Sequence, residues 1–109
     1  GVGGGPHVRV FNKDGRVINP GFFAYDPAFR GGVNVAVGDV DGDGIDDIIT
    51  GPGRGMTPTM RIFDRDGRQK ASWTAGDASD RSGVEVLATD FDGDGRAEPM
   101  GMSLQPFGL

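Results

Sequence analysis

Between Asp39 and Asp47 the chain reads DVDGDGIDD, five aspartates in nine residues, and between Asp90 and Glu98 it reads DFDGDGRAE. Acids at positions one, three, five and nine of such a loop can converge on one centre if the backbone curls, and Gly42 and Gly44 permit the curl. Converging carboxylate oxygens, with a main-chain carbonyl at position seven, make the hard oxygen cage that calcium prefers at about 6 to 8 ligands. The candidate ligands are therefore Asp39, Asp41, Asp43, the Ile45 carbonyl and Asp47 in the first loop. In the second they are Asp90, Asp92, Asp94, the Arg96 carbonyl and Glu98, whose longer side chain makes this loop the less regular of the two. An EF-hand opens in the same way but needs a glutamate at position twelve and a helix on each side. Position twelve is Thr50 in one loop and Gly101 in the other, and the flanks read as strands. Solvated Asp-Gly turns without a metal are the plain alternative, and two such loops in register are hard to produce as ordinary turns.

The elements that must position these loops come in two copies. RVFNKDGR from Arg9 returns as RIFDRDGR from Arg61, and VAVGDVDGDG from Val35 returns as VLATDFDGDG from Val86. Pro6 echoes Pro58, Phe22 echoes Trp73, and Ala24 echoes Ala75. Repeat 1 spans about 1–52 and repeat 2 about 53–104, with a short tail at 105–109, all within one module. Period-two alternation predicts strands at His7–Phe11 and Thr59–Phe63, each followed by a tight turn at Lys13-Asp14-Gly15 or Arg65-Asp66-Gly67. Further strands are expected near Val17–Tyr25, Asn34–Val40, Asp46–Thr50, Gln69–Ala75, Val84–Thr89 and Glu98–Leu104. Four antiparallel strands per repeat is the content of a β-propeller blade, and the fold class expected is all-β. The strand order is circularly permuted: two closing strands, one whole blade, then two opening strands. Half-blades expose unpaired edges, so either neighbouring copies complete one another or the rest of a longer parent protein does.

Composition limits the alternatives. The chain has 109 residues, 21 glycines, 7 prolines, no cysteine and a formal charge of −5. Glycine and proline at that level favour turns and strands, and the lack of cysteine removes disulfides, thiolate zinc sites and cysteine nucleophiles. Nine of the sixteen acids sit in the two loops, leaving the remainder mildly basic with its bases scattered singly. That pattern argues for local cation sites and against nucleic-acid binding. No apolar run is long enough to cross a bilayer, which argues against membrane insertion, and a first residue of Gly1 suggests a trimmed or excised piece. His7 is the lone histidine, no serine lies in a G-x-S-x-G setting, and GPGRGMTP from Gly51 lacks the ending of a phosphate loop. No enzymatic activity is expected. Trp73, Tyr25, Phe22 and Phe23 could form aromatic platforms for a sugar, though their repeat-equivalent placement suits filler between blades better.

The stretch GGVNVAVGDVDGDGIDDIITGPG, Gly31 to Gly53, resembles the FG-GAP repeat of integrin alpha-subunit β-propellers and the related bacterial repeats grouped as VCBS-like. In that family a D-x-D-x-D-G-x-x-D calcium loop joins the first two strands of each blade, and Asp39, Asp41, Asp43 and Asp47 match it position by position. Gly31-Gly32 stands where the family has Phe-Gly, and EPMGMS from Glu98 has lost the Gly-Ala-Pro element. The resemblance implies structural calcium and a secreted, extracellular or cell-surface scaffold in adhesion, with a protein or glycan ligand. It also implies a ring of blades, here closed by homo-oligomerisation or by a parent protein. A lectin propeller is the alternative that the same resemblance allows.

Overall fold

The computed structural model describes residues 5–12, 14–90 and 92–104. Lys13 of the first turn, Phe91 of the second acidic loop and the tail expected at 105–109 lie outside the described residues. Eight strands and no helix are found among the described residues: β1 (His7–Phe11), β2 (Val17–Phe23), β3 (Val33–Gly38), β4 (Asp47–Pro52), β5 (Thr59–Phe63), β6 (Gln69–Thr74), β7 (Val84–Thr89) and β8 (Glu98–Ser103). They form three antiparallel sheets, β1-β2, β3-β4-β5-β6 and β7-β8.

The turns follow from local chemistry. In the β1–β2 and β5–β6 hairpins Gly15 and Gly67 take φ of 82° and 86°, a left-handed conformation that glycine adopts without steric cost. Asn12 and Asp64 brace the same turns, each accepting two backbone N–H bonds on its side-chain oxygen. Expected and observed strand ends differ by a residue or two. β4 runs on through Pro52 because it pairs with β5 only over Ile48–Thr50, so beyond that point its β5 side demands no donor. The β1–β2 register slips between Val8 and Phe11, and this bulge absorbs the offset between the two sequence repeats. Pro99 is tolerated in β8, which pairs with β7 and otherwise forms an edge among the described residues.

The four-stranded sheet is covered on both faces, and β4 is buried along its whole length. On one face Ile48 and Phe63 pack with Val8, Ala24 and Tyr25 of the β1–β2 segment. On the other, Ile49, Met60 and Ile62 pack with Val84, flanked by Val86 and Ala88 of β7. This explains the unbroken apolar run Ile48-Ile49: successive side chains point to opposite faces, and both faces are dry.

Close approach between the sheets depends on small residues. A Cβ at Gly51 would lie 2.8 Å from Val86 Cγ1 and 3.0 Å from the Val84 carbonyl oxygen. Polar ties add to the packing. The Asn34 side chain donates to the Val84 carbonyl at 2.6 Å, and the Ala97 N–H donates to the Asp39 carbonyl at 2.7 Å. On the opposite face the Tyr25 hydroxyl donates to the Thr59 carbonyl at 2.6 Å and meets Thr50 Oγ1 at 3.1 Å. The Arg61 guanidinium lies 4.8 Å from the Tyr25 ring centre and donates to the Ala24 carbonyl.

Both outer flanks remain apolar. Val35 and Val37 of β3 are 50% and 60% exposed, and with Val8, Val10, Ile18 and Ile48 they line a cleft of about 680 Å³ beside β1. Leu87, Met100 and Met102 are exposed on the β7–β8 hairpin at the other end.

Candidate metal centre

The two acidic loops join equivalent strand pairs, β3 to β4 and β7 to β8, and fold alike. In the first, Asp39 Oδ1 accepts N–H bonds from Gly42 and Asp43 at 2.8 and 3.2 Å, and its Oδ2 accepts one from Gly44 at 2.7 Å. In the second, Asp90 repeats the pattern toward Gly93, Asp94 and Gly95 at 2.8, 3.1 and 2.9 Å. The position-five acids close the curl, Asp43 accepting from the Ile45 N–H and Asp94 from the Arg96 N–H. The sequence reason is the glycine pair in each loop. Gly42 and Gly44 have φ of 75° and 83°, Gly93 and Gly95 have φ of 75° and 85°, and an L side chain would be strained at all four.

Carboxylate oxygens of Asp90, Asp92, Asp94 and Glu98 lie within 4.8 Å of one another, as do those of Asp39, Asp41 and Asp43. The loop with the longer Glu98 thus brings all four of its acids together. In the first loop Asp47 points elsewhere. It is almost fully buried, accepts the Val40 N–H at 3.2 Å, and receives the Lys70 ammonium at 2.6 Å. The same ammonium reaches Asp41 Oδ2 at 2.5 Å. Ile45 and Arg96, expected to offer carbonyls, sit at the turn of each loop with their N–H groups on the position-five carboxylates.

The two clusters differ electrostatically. Hydrogen bonding from the Lys70 ammonium is the main reason that the Asp41 carboxyl is held down at about 2, and the paired carboxylates push the Lys70 pKa up. In the second loop the Asp94 N–H alone would lower the Asp92 carboxyl. Loss of solvent and the facing Asp94 and Glu98 carboxyls outweigh it, and the net shift is upward. Crowded carboxylates of this kind are relieved by a cation.

An all-oxygen donor set suits a hard divalent ion, and in the first loop an ammonium already stands in for a cation between two of the expected ligands. Bound there, calcium would neutralise the acids and tie together the two strands that each loop joins. Asp39, Asp41 and Asp43 would hold it in one loop and Asp90, Asp92, Asp94 and Glu98 in the other.

Lys70 is the functional residue that sequence reading missed. It lies 29 positions from Asp41, on a strand two places removed from β4, and no local motif marks it. A signal was present in the comparison of the two repeats, because strand register sets Ile18 of β2 where Lys70 stands in β6. Of the aromatic candidates, Tyr25 is 3% exposed and Phe22 packs on Phe63 with ring centres 4.9 Å apart, so both are filler. Phe23 and Trp73 are exposed.

No solved structure matches the chain. Residues 39–98 match the FG-GAP-like repeat family, a span that runs from the first acid of one loop to the last acid of the other and covers more than half of the sequence. The chain belongs to the FG-GAP-like repeat family.

Proposed function

We propose that the chain is a calcium-stabilised β-propeller module that acts as a non-enzymatic interaction scaffold at the cell surface or in the extracellular space. The observation that carries this reading is the pair of loops with one shared hydrogen-bond pattern, each gathering carboxylate oxygens within 4.8 Å. Calcium in this reading is structural, and modules of this class commonly bind it at roughly 10⁻⁴ to 10⁻³ M.

The packing supports completion of the ring by other copies. β7–β8 covers one face of the four-stranded sheet, resting on β3 and β4. By the repeat relation, the counterpart of that hairpin would lie on the opposite face, beside β1 and against Val35 and Val37. The cleft of about 680 Å³ lies there. A β7–β8 hairpin from a second copy would fill it and pair with the edge of β1 that no strand meets among the described residues, turning each half-sheet into a four-stranded blade. Each chain supplies two blades, and propellers have typically about 4 to 8, so rings of two to four chains are admissible.

Light scattering tests both parts of this reading, with the chain once in millimolar calcium and once in chelator. The expected result is a closed oligomer in calcium that loses mass in chelator. A monomer under both conditions would overturn completion by copies, and an oligomer indifferent to calcium would overturn the role given to the metal.

A further inference from the structure

We propose that Lys70 is a tethered competitor for the first acidic loop, so that the second loop takes up calcium first and the first loop fills only when the Lys70 ammonium is displaced. The inference rests on the calcium reading above and concerns what distinguishes the two loops.

The geometry is specific. Asp41 and Asp47 hold positions three and nine of the first loop, and the Lys70 ammonium lies between them at 2.5 and 2.6 Å. The ammonium occupies Asp41 Oδ2, so an ion taken up by the same carboxylate meets an acid that is already paired. Asp47 is 3% exposed at its side chain, and a buried carboxylate without a partner is costly; Lys70 provides that partner within the chain. The Lys70 side chain is itself 29% exposed and has a flexible four-carbon stem, so it can swing out to solvent when a divalent ion arrives.

Among the described residues no lysine stands in the second loop's equivalent of the Lys70 place. Lys70 comes from β6, the fourth strand of the sheet that carries the first loop, whereas β7–β8 has two strands among the described residues. A β1–β2 hairpin from another copy, docked in the fourth-strand place, would bring Ile18 to the position of Lys70. Isoleucine offers no charge. The first loop therefore meets calcium with Asp41 and Asp47 already neutralised in part by Lys70, an ammonium that the equivalent strand place of the second loop would not supply. The outcome is one calcium-dependent loop and one loop that keeps its form without calcium, at the cost of weaker uptake.

Calorimetric titration with calcium chloride tests this on the full chain and on Lys70→Gln, which retains a hydrogen-bond donor for Asp47 and removes the charge. The full chain is expected to show two binding events of different affinity. Lys70→Gln should tighten the weaker event at least tenfold and leave the stronger within a factor of two. Adding Asp92→Asn and Asp94→Asn should abolish the stronger event alone. Equal events in the full chain, or a weaker event that Lys70→Gln leaves unchanged or loosens, would overturn the competition while leaving calcium binding intact. Absence of any binding in every variant would overturn the calcium reading and this inference together. A measurement on the unaltered chain guards against loss of fold in the variant. The ¹⁵N-lysine resonance of Lys70 should move on calcium addition in step with the weaker event, and a resonance that stays still while the first loop fills would refute displacement.

Discussion

Replacing Tyr25 by phenylalanine removes one oxygen atom and tests whether the β1–β2 segment is fastened to the central sheet by that atom. The residue is 3% exposed, and its hydroxyl donates to the Thr59 carbonyl at 2.6 Å while meeting Thr50 Oγ1 at 3.1 Å. Thr50 has a second outlet, the Arg61 carbonyl at 3.1 Å, so its own loss is partial. The Thr59 carbonyl loses its side-chain donor in a partly buried setting, and an unsatisfied acceptor costs about 1 to 3 kcal/mol when shielded from water. We therefore expect Tyr25→Phe to destabilise the chain by about 2 kcal/mol, which for a domain of this size lowers Tm by roughly 10 °C. Urea unfolding in chelator, followed by the fluorescence of Trp73, measures it. Thr50→Val alone should cost about 1 kcal/mol, and the double variant should fall short of the sum by about 1 kcal/mol because both changes remove the same contact. A Tyr25→Phe cost below about 0.5 kcal/mol, or strict additivity in the double variant, would refute the staple.

Other perturbations probe separate parts of the structure. Tyr25 is the chain's single tyrosine, and burial pushes its hydroxyl pKa up to about 12 from 10.0, against opposing effects from the Thr50 hydrogen bond and the Arg61 charge. Tyrosinate absorbance should therefore titrate late. The folded chain holds this proton more tightly than the unfolded chain, so the stabilisation, at most about 3 kcal/mol, is complete below pH 10 and is lost between pH 10 and about 12. A midpoint at the free value would contradict the burial. Gly51→Ala should cost about 1 to 3 kcal/mol, because the new methyl meets the Val84 backbone at 3.0 Å as well as a movable side chain, and urea unfolding that shows no loss would mean that β7 stacks more loosely than described. Val37→Asp places a charge on the open face of β3, where the side chain is 60% exposed in the single chain. It should leave the melting temperature of the monomer nearly unchanged and abolish the assembled mass; an assembly that survives it would place the interface elsewhere.

Much of the scaffold is legible in the sequence because it is encoded locally. Alternation at His7–Phe11 and Thr59–Phe63, the turns closed by Gly15 and Gly67, and the curl of each acidic loop all depend on residues a few positions apart. The eight strands fall where period and punctuation set them, and their ends shift where pairing with another strand decides how far the ladder continues, as at Pro52. What escapes local reading is contact between distant segments. Phe22 and Trp73 occupy equivalent places in the repeats, yet Phe22 is packed against Phe63 and Trp73 is exposed, because Phe22 faces a four-stranded sheet whereas the sheet on the Trp73 side has two strands among the described residues. Lys70 is the sharper case: a single surface base in the sequence becomes, through the order β4-β5-β6, the partner of two acids from another part of the chain. The expectation that Glu98 would make the second loop the irregular one rested on side-chain length alone. The structure instead sets Asp47 of the first loop apart, since burial and the ammonium decide where its carboxylate points.

A crystal structure grown in calcium chloride shows whether the acidic loops hold metal. An ion is expected in each loop, held at about 2.3 to 2.6 Å by oxygens of Asp39, Asp41 and Asp43 in one and of Asp90, Asp92, Asp94 and Glu98 in the other. The Lys70 ammonium should have withdrawn from Asp41 in the filled first loop. Loops that keep the same curl and hold only water in the presence of calcium would contradict the calcium reading, and the acids would then stand as solvated turns between strands.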